Sequence, residues 1–355
     1  MIQRKLTRPL TVGSLPLGGG APILIQSMTN TPSEDFGKTL EQVRALEDAG
    51  CDIIRLAVPT IDAAPVFSYL KGHGVKVPLV ADIHFDYRIA LASIEHGADK
   101  IRINPGNIGS RERVFEVARE AKAHGIPIRI GVNSGSLEES ILKKHGAPTP
   151  DALVESALYH TSLLEECDFS DICISIKASG VRETILANRL LSSRVDYPIH
   201  LGVTEAGAGH SAVVKSSVGI GTLLAEGIGD TIRVSLTENP VEEVSFAKEI
   251  LSSLGLYEKG KMDIIACPTC GRTKIDLIPL VDEFTRRARA LGLLDRNIKV
   301  ALMGCAVNGP GEARECDIGI AGGKGEGLLF KKGEILYKVK EEHLVDALIE
   351  EILKM

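Results

Sequence analysis

Eight short apolar runs recur along the first two thirds of the chain, and each is followed by a segment with helix-like spacing of apolar residues. The runs are rich in Ile, Val and Leu, and several of the helical segments end in glycine, for example at Gly50 and Gly97. Near-continuous apolar strands that alternate with helices predict a parallel sheet covered on its outer face. Eight such units over about 230 residues favour a closed (β/α)₈ barrel, with an open doubly wound sheet as the alternative. The predicted strands are Ile23–Met28, Cys51–Val58, Pro78–Ile83, Lys100–Asn104, Pro127–Val132, Asp171–Ile176, Ile199–Thr204 and Thr231–Ser235.

The segments on either side of this array predict a hairpin before it and a second domain after it. Leu6–Gly20 reads as a hairpin, and the Gly- and Lys-rich stretch Leu254–Lys261 marks a domain boundary. We therefore expect a TIM-like barrel over residues 1–258 and a small α+β domain over residues 259–355. Its predicted elements are the strands Met262–Ala266, Ile298–Met303 and Asp317–Ala321, the helices Asp276–Leu291 and Glu341–Lys354, and a hairpin over Gly327–Val339.

Composition narrows the functional class. With 44% hydrophobic and 25% charged residues the chain is typical of globular proteins, and its net charge of −6 argues against nucleic-acid binding. It has no long apolar run and no signal-peptide core, which predicts a cytoplasmic protein without a membrane partner. Seven cysteines, an odd number, predict thiols or metal ligands rather than disulfides. Cys51, Cys167 and Cys173 lie in or beside apolar runs, so we expect them to be small core residues.

Three other cysteines form a candidate cluster site in the second domain. Two residues separate Cys267 from Cys270, and Cys305 is followed seven residues later by Glu312 in a Gly/Pro-rich loop. A Cys-x-x-Cys pair alone serves zinc, redox disulfides and iron–sulfur clusters. A redox disulfide is disfavoured because the pair opens no thioredoxin-like unit. A zinc ribbon is disfavoured because it needs a second close pair of cysteines, whereas ten residues separate Cys305 from Cys316. Three thiolates and one exchangeable oxygen suit a [4Fe–4S] cluster, and buried unreactive cysteines are the alternative.

Polar residues follow the predicted barrel strands, where the loops of such a barrel converge on one mouth. Five are cations, four of them arginines, and clustered cations on an acidic protein need an anionic partner. Because the guanidinium fork suits phosphate, we expect a small phosphorylated, or diphosphorylated, substrate. A solvated charge at a loop is the alternative for any single residue. The candidate substrate-binding residues are Arg55, Asp82, His84, Arg102, Asn104, Arg129, Asn133, Lys177, Arg233 and Ser235, with Asn308 from the cluster loop.

Two of the residues at the predicted mouth are candidates for proton transfer. Glu205, which follows the seventh strand among cations and glycines, is the better acid/base candidate, and a structural ion pair is its alternative. His84 could also donate a proton, although a histidine at a strand end is more often a hydrogen-bonded supporting residue.

Four motifs closely resemble the 4-hydroxy-3-methylbut-2-enyl diphosphate synthase family of the methylerythritol phosphate pathway: Lys100–Asn107, Leu201–Gly207, Cys267–Thr273 and Gly304–Glu312. The resemblance implies an iron–sulfur oxidoreductase of isoprenoid precursor synthesis that reductively opens 2-C-methyl-D-erythritol 2,4-cyclodiphosphate. It also implies reduced flavodoxin or ferredoxin as the electron donor, and a homodimer in which the cluster domain of one chain caps the partner's barrel. By resemblance, the cluster ligands are Cys267, Cys270, Cys305 and Glu312, and the catalytic residues are Glu205 and Glu312.

Two other functional classes compete with this interpretation. One is a zinc-stabilised, non-redox barrel enzyme that binds phosphate, of the aldolase or pterin-synthase type. The other is an iron–sulfur carrier without catalytic activity, which would have no use for five cations at the barrel mouth.

Overall fold

The computed structural model describes residues 2–257, 262–305 and 315–355. The chain divides into two compact units, Met1–Leu256 and Tyr257–Met355. The first holds an eight-stranded parallel sheet, and the second a five-stranded mixed sheet.

The eight-stranded sheet forms the barrel that the alternation of strands and helices predicts. The barrel strands are β3 Leu24–Met28, β4 Ile53–Ala57, β5 Leu79–Ile83, β6 Lys100–Ile103, β7 Ile128–Asn133, β8 Ile172–Lys177, β9 His200–Leu201 and β10 Thr231–Ile232. They lie in the order β8-β7-β6-β5-β4-β3-β10-β9, and an isolated parallel bridge between Ile174 and Ile199 joins the two ends. The last two strands are shorter than predicted, although Arg233 N still donates to Leu201 O at 3.0 Å.

Helices follow the strands as predicted, and the loops after β6 and β7 hold two short additional helices, Pro105–Ile108 (α4) and Glu139–His145 (α6). Several begin at a side-chain cap: Asp35, Asp86, Thr149 and Asn239 each accept a hydrogen bond from a backbone N–H of the first turn. The helices of this unit are α1 Phe36–Asp48, α2 Val66–Gly72, α3 Tyr87–Glu95, α4 Pro105–Ile108, α5 Arg111–His124, α6 Glu139–His145, α7 Pro150–Glu165, α8 Val181–Ser192, α9 Gly209–Ala225 and α10 Pro240–Ser253.

The predicted N-terminal hairpin closes one end of the barrel. Its strands, β1 Leu10–Val12 and β2 Leu15–Leu17, pair antiparallel. Their buried side chains pack against Leu24, Ile53 and other residues near the starts of the barrel strands. The amino-terminal end of the barrel is therefore filled with apolar side chains, and polar chemistry is left to the carboxyl-terminal end.

The second unit is α+β, as predicted. Strands β11 to β13 are parallel, and β13 to β15 are antiparallel, with the last turn at Lys332 and Gly333. In the first helix Leu277, Phe284 and Ala288 face the core as the apolar spacing predicts, and Leu280 is buried beside the half-buried Val281. The elements are β11 Asp263–Ala266, α11 Leu277–Ala290, β12 Lys299–Met303, β13 Ile318–Gly322, β14 Glu326–Lys331, β15 Glu334–Lys340 and α12 Leu344–Leu353.

Candidate active site

Three of the predicted binding residues lie side by side on neighbouring barrel strands. Arg102 on β6 stands in register with Asp82 on β5 and with Arg129 on β7. All three are buried, although each is ionisable. Since ionisable side chains are seldom fully buried without partners, this row is a candidate binding site rather than packing.

Asp82 neutralises two of the mouth cations. Its carboxylate lies 3.1 Å from Arg102 Nη1 and 3.6 Å from Arg55 Nε, while the half-exposed His84 ring lies 4.0 Å away. Burial alone would raise the pKa of Asp82, but the two arginines outweigh it and lower the pKa to about 2. Asp82 is therefore ionised throughout the physiological range.

Arg233, just beyond β10, is neutralised by a residue that the sequence does not single out. Its Nε and Nη2 donate to the two carboxylate oxygens of Glu243 in α10, at 3.0 and 2.9 Å. Met28 Sδ lies between Arg233 Nη1, at 3.6 Å, and Arg55 Nε, at 3.1 Å. Arg55 and Arg233 thus approach the mouth from either side of β3.

Arg129 and Lys177 have no carboxylate within ion-pair distance in the described part of the chain. Arg129 is 1% exposed, and its Nε and Nη1 have no hydrogen-bond partner there. Burial, together with the neighbouring arginines, lowers the pKa of both groups well below their ordinary values. The mouth therefore carries five cations against the two carboxylates that contact them, a strong excess of buried positive charge.

Two glycines leave room for this packing of cations. A Cβ at Gly202 would lie 2.7 Å from Lys177 Nζ, and one at Gly131 would lie 2.5 Å from Arg102 Nε. The two cationic side chains therefore lie directly against the backbone of a neighbouring strand, and a Cβ at either glycine would displace them.

Amide side chains complete one side of the mouth. Asn104 Nδ2 donates to Ser136 Oγ at 2.8 Å, and Ser136 Oγ donates to Asn133 O at 3.3 Å. In the orientation that satisfies its hydrogen bonds, the Asn133 side-chain oxygen accepts from Arg102 Nη2 at 3.3 Å. Ser235 is half-buried two residues beyond Arg233.

Glu205 lies in the loop after β9, exposed and with a left-handed backbone, φ 51°. A side chain in this region costs about 1–2 kcal/mol, and such strain collects at functional sites. Glu205 forms no ion pair within the described residues, so the alternative that it serves as a structural ion-pair partner gains no support.

The second unit brings the predicted cluster loops onto neighbouring strand ends. Cys267 follows β11 and Cys305 follows β12, and these strands pair in parallel. Gly304 N lies 3.2 Å from Cys267 Sγ and donates to it. Hydrogen bonds from the backbone and side chain of Arg272 lower the pKa of the exposed Cys270 thiol. Low-pKa thiols and N–H···S bonds fit iron–sulfur ligation.

The cluster site lies only partly within the described residues. Asn308 and Glu312 fall outside them. Within 2–257, 262–305 and 315–355, no three His, Cys, Asp or Glu side chains are grouped closely enough to hold a metal ion. The assignment of ligands therefore stays a prediction that rests on the donor chemistry and the adjacent loops.

Comparison with known proteins gives the family. The description "GcpE TIM-barrel domain" matches residues 7–248, and "GcpE protein C-terminal domain" matches residues 263–354. The chain belongs to the GcpE family. It is 59% identical to proteins of Caldanaerobacter subterraneus and Clostridium acetobutylicum, over 99% and 100% of this chain and 98% and 100% of theirs. Both relatives are named 4-hydroxy-3-methylbut-2-en-1-yl diphosphate synthase (flavodoxin).

A solved structure supports the fold alone. Type I 3-dehydroquinate dehydratase from Clostridium difficile superimposes with a TM-score of 0.51 at 14% identity. The match covers 70% of the GcpE chain and 97% of the dehydratase.

The three cysteines of the barrel unit of this GcpE chain differ in burial. Cys51 and Cys173 are buried as predicted, but the prediction for Cys167 is wrong. Cys167 is half-buried in the turn after α7, where the helix has ended and solvent reaches the chain. No helix in the described ranges is long and apolar enough to cross a membrane.

Replacing Arg129 with methionine should stabilise the GcpE barrel and weaken anion binding together. The change removes an unneutralised buried cation and keeps most of the side-chain volume, so the free energy of unfolding should rise by about 1–3 kcal/mol. Urea denaturation measures this effect, and the KM for a diphosphate substrate should rise at least about tenfold. Arg4→Met is the matched control, because Arg4 is paired with Asp230 at 3.2 Å and its loss should destabilise the chain without changing KM. If Arg129→Met is less stable than the parent protein, the inference that the mouth carries an excess of buried positive charge is wrong.

Proposed function

We propose that this chain reductively opens 2-C-methyl-D-erythritol 2,4-cyclodiphosphate and releases 4-hydroxy-3-methylbut-2-en-1-yl diphosphate and water. The observation that carries the proposal is the buried excess of cations at the barrel mouth, where the guanidinium of Arg129 has unused donors. A diphosphate supplies the missing negative charge, and the names of the full-length relatives supply the reaction. The conversion takes up two electrons and two protons, breaks the ring bond between carbon and phosphate oxygen, and loses one hydroxyl group as water.

The barrel residues bind and orient the substrate in this proposal. Arg129 and Lys177 bind the phosphate oxygens most strongly, since carboxylates already partly neutralise the other three cations, which add their remaining N–H donors. Asn104 and Asn133 supply neutral hydrogen bonds at the edge of the same site. Fixing the diphosphate in this way holds the carbon skeleton still at the mouth.

Glu205 is the proposed proton donor to the departing hydroxyl group. The glycines around it, Gly202 and Gly207, allow a substrate to approach the backbone closely. Its carboxyl is exposed, so that both solvent and a bound substrate can reach it.

The proposed cofactor is a [4Fe–4S] cluster held by Cys267, Cys270, Cys305 and Glu312. When bound, it supplies single electrons and a Lewis-acidic iron. The protein's own contribution is to hold the thiols on adjacent loops, where Gly304 N donates to Cys267 Sγ. Reduced flavodoxin is the proposed electron donor, as in the names of the relatives.

Iron analysis and a turnover assay test the proposal together. Protein purified without oxygen should hold about four iron and four sulfide per chain and convert the cyclic diphosphate when reduced flavodoxin is present. Stoichiometric zinc without iron would support the non-redox alternative. A full cluster without turnover of the cyclic diphosphate would support the carrier alternative. Family membership and the cation-rich mouth favour neither.

We also propose that the enzyme is a homodimer whose active sites combine the barrel of one chain with the cluster unit of its partner. The stretch Leu254–Lys261 spans at most about 28 Å, which is short for a path from the closed end of a barrel to its mouth. Mixing inactive Glu205→Gln and Cys305→Ser proteins under conditions of subunit exchange should restore part of the activity. Exchange without recovery would mean that each chain builds its own site.

A further inference from the structure

Glu243 is a buried carboxylate that connects three parts of the barrel. It is 2% exposed, and besides the two bonds from Arg233 it accepts from Ser27 Oγ at 2.7 Å and from Leu236 N at 3.2 Å. Ser27 belongs to β3, Leu236 to the loop after β10, and Glu243 itself to α10. Four accepted hydrogen bonds fix the carboxylate in one orientation.

This carboxylate determines which part of Arg233 remains available. Nε and Nη2 form one flat edge of the guanidinium, and both donate to Glu243. Nη1 is left on the other edge, near Met28 Sδ. Arg233 can therefore offer a ligand its Nη1 edge but not the Nε/Nη2 fork, in contrast with Arg129, whose Nε and Nη1 have no partner in the described residues.

We propose that Glu243 is a positioning residue for substrate binding, which acts through Arg233 and holds its Nη1 edge towards the mouth. The inference rests on the proposed diphosphate-binding function of the same mouth. The carboxylate already accepts four hydrogen bonds from protein groups and would repel a phosphate, so its contribution is to remove the rotamer freedom of Arg233 before binding.

Replacing Glu243 with glutamine distinguishes three roles by the sign of the effect. A purely electrostatic role predicts tighter binding, because the variant has one negative charge fewer beside the mouth. A purely structural role predicts lower stability with an unchanged KM. Positioning predicts weaker binding despite the added positive charge, because the amide nitrogen cannot accept from Arg233 and the guanidinium is released.

We expect Glu243→Gln to raise the KM for the cyclic diphosphate roughly tenfold while kcat changes less than about threefold. Ser27→Ala, which removes one anchor and keeps the ion pair, should give a smaller rise. In an Arg233→Gln background, Glu243→Gln should add almost nothing, since the two residues act as a unit. Full additivity, or a KM equal to or below that of the parent protein, would overturn the inference.

Asp230→Asn is the matched control for loss of a buried carboxylate. Asp230 is also 2% exposed, and it accepts hydrogen bonds from Arg4, Thr7 and the backbone of Ile199 at the opposite, hairpin-covered end of β10. We expect it to lower stability about as much as Glu243→Gln and to leave KM unchanged. An equal rise of KM in both variants would show a general loosening of the barrel.

Calorimetry with inorganic pyrophosphate separates failure of this inference from failure of the proposed function. If the parent protein binds pyrophosphate and Glu243→Gln binds it about tenfold more weakly, Glu243 positions Arg233. Equal binding by the two proteins would refute positioning and leave the diphosphate site in place. No binding and no turnover by the parent protein would refute the function on which the inference rests.

Discussion

Replacing Cys305 with alanine should remove the bound iron and abolish turnover, whereas replacing Cys316 with alanine should leave both. Cys305 is half-buried at the carboxyl end of β12, next to the glycine that donates to Cys267 Sγ. Cys316 is 1% exposed and packs among Ala301, Met303 and Phe330, and burial raises the pKa of its thiol. A buried protonated thiol is a poor ligand, because clusters bind thiolates.

The two alanine variants are a matched pair, since each removes one sulfur atom from the same unit. Iron and sulfide content, measured on protein prepared without oxygen, gives the result directly. Glu312→Gln should weaken the cluster less than Cys305→Ala, because the fourth ligand is the exchangeable one in the proposal. If Cys316→Ala loses iron while Glu312→Gln keeps a full cluster and full activity, the site has four cysteines and the assignment of Glu312 is wrong.

Replacing Glu205 with glycine should inactivate the enzyme and stabilise it at the same time. Loss of a general acid typically costs about 10²–10⁴ in kcat. Glycine adopts a φ of 51° without steric cost, so the variant should gain up to about 1 kcal/mol in free energy of unfolding. Lys332→Gly is the control, because Lys332 has a φ of 50° in the turn between β14 and β15.

Both glycine variants should gain stability in urea denaturation, and only Glu205→Gly should lose turnover. Glu205→Gln distinguishes the loss of the proton donor from the relief of backbone strain. It keeps the strained backbone and the size of the side chain, so it should lose activity without gaining stability. If Glu205→Gln retains normal kcat, the proton comes from another group.

The barrel strands were predictable because inward and outward faces are both buried, which produces near-continuous apolar runs such as that of β5. The mouth cations were predictable because each interrupts or directly follows one of these apolar runs. Glu243 was not, because Glu242 and Glu243 stand together in the first turn of α10 and only the three-dimensional path shows which one points inward. The sequence also does not predict helix α6, because this short segment carries no strong apolar period.

The N-terminal hairpin of β1 and β2 also affects the order in which the chain can fold during synthesis. Lys5 N bonds to Gly227 O, and Arg4 bonds to Asp230, 226 residues further along. The segment that leads into the hairpin is therefore synthesised long before these partners, and it can bind them only after nearly the whole barrel has been made. Leu10, Val12 and Leu17 likewise lack part of the apolar surface that buries them until Cys173 of β8 has been made. Closure of the barrel, which also requires β10 to pair with β3, should therefore come late in folding.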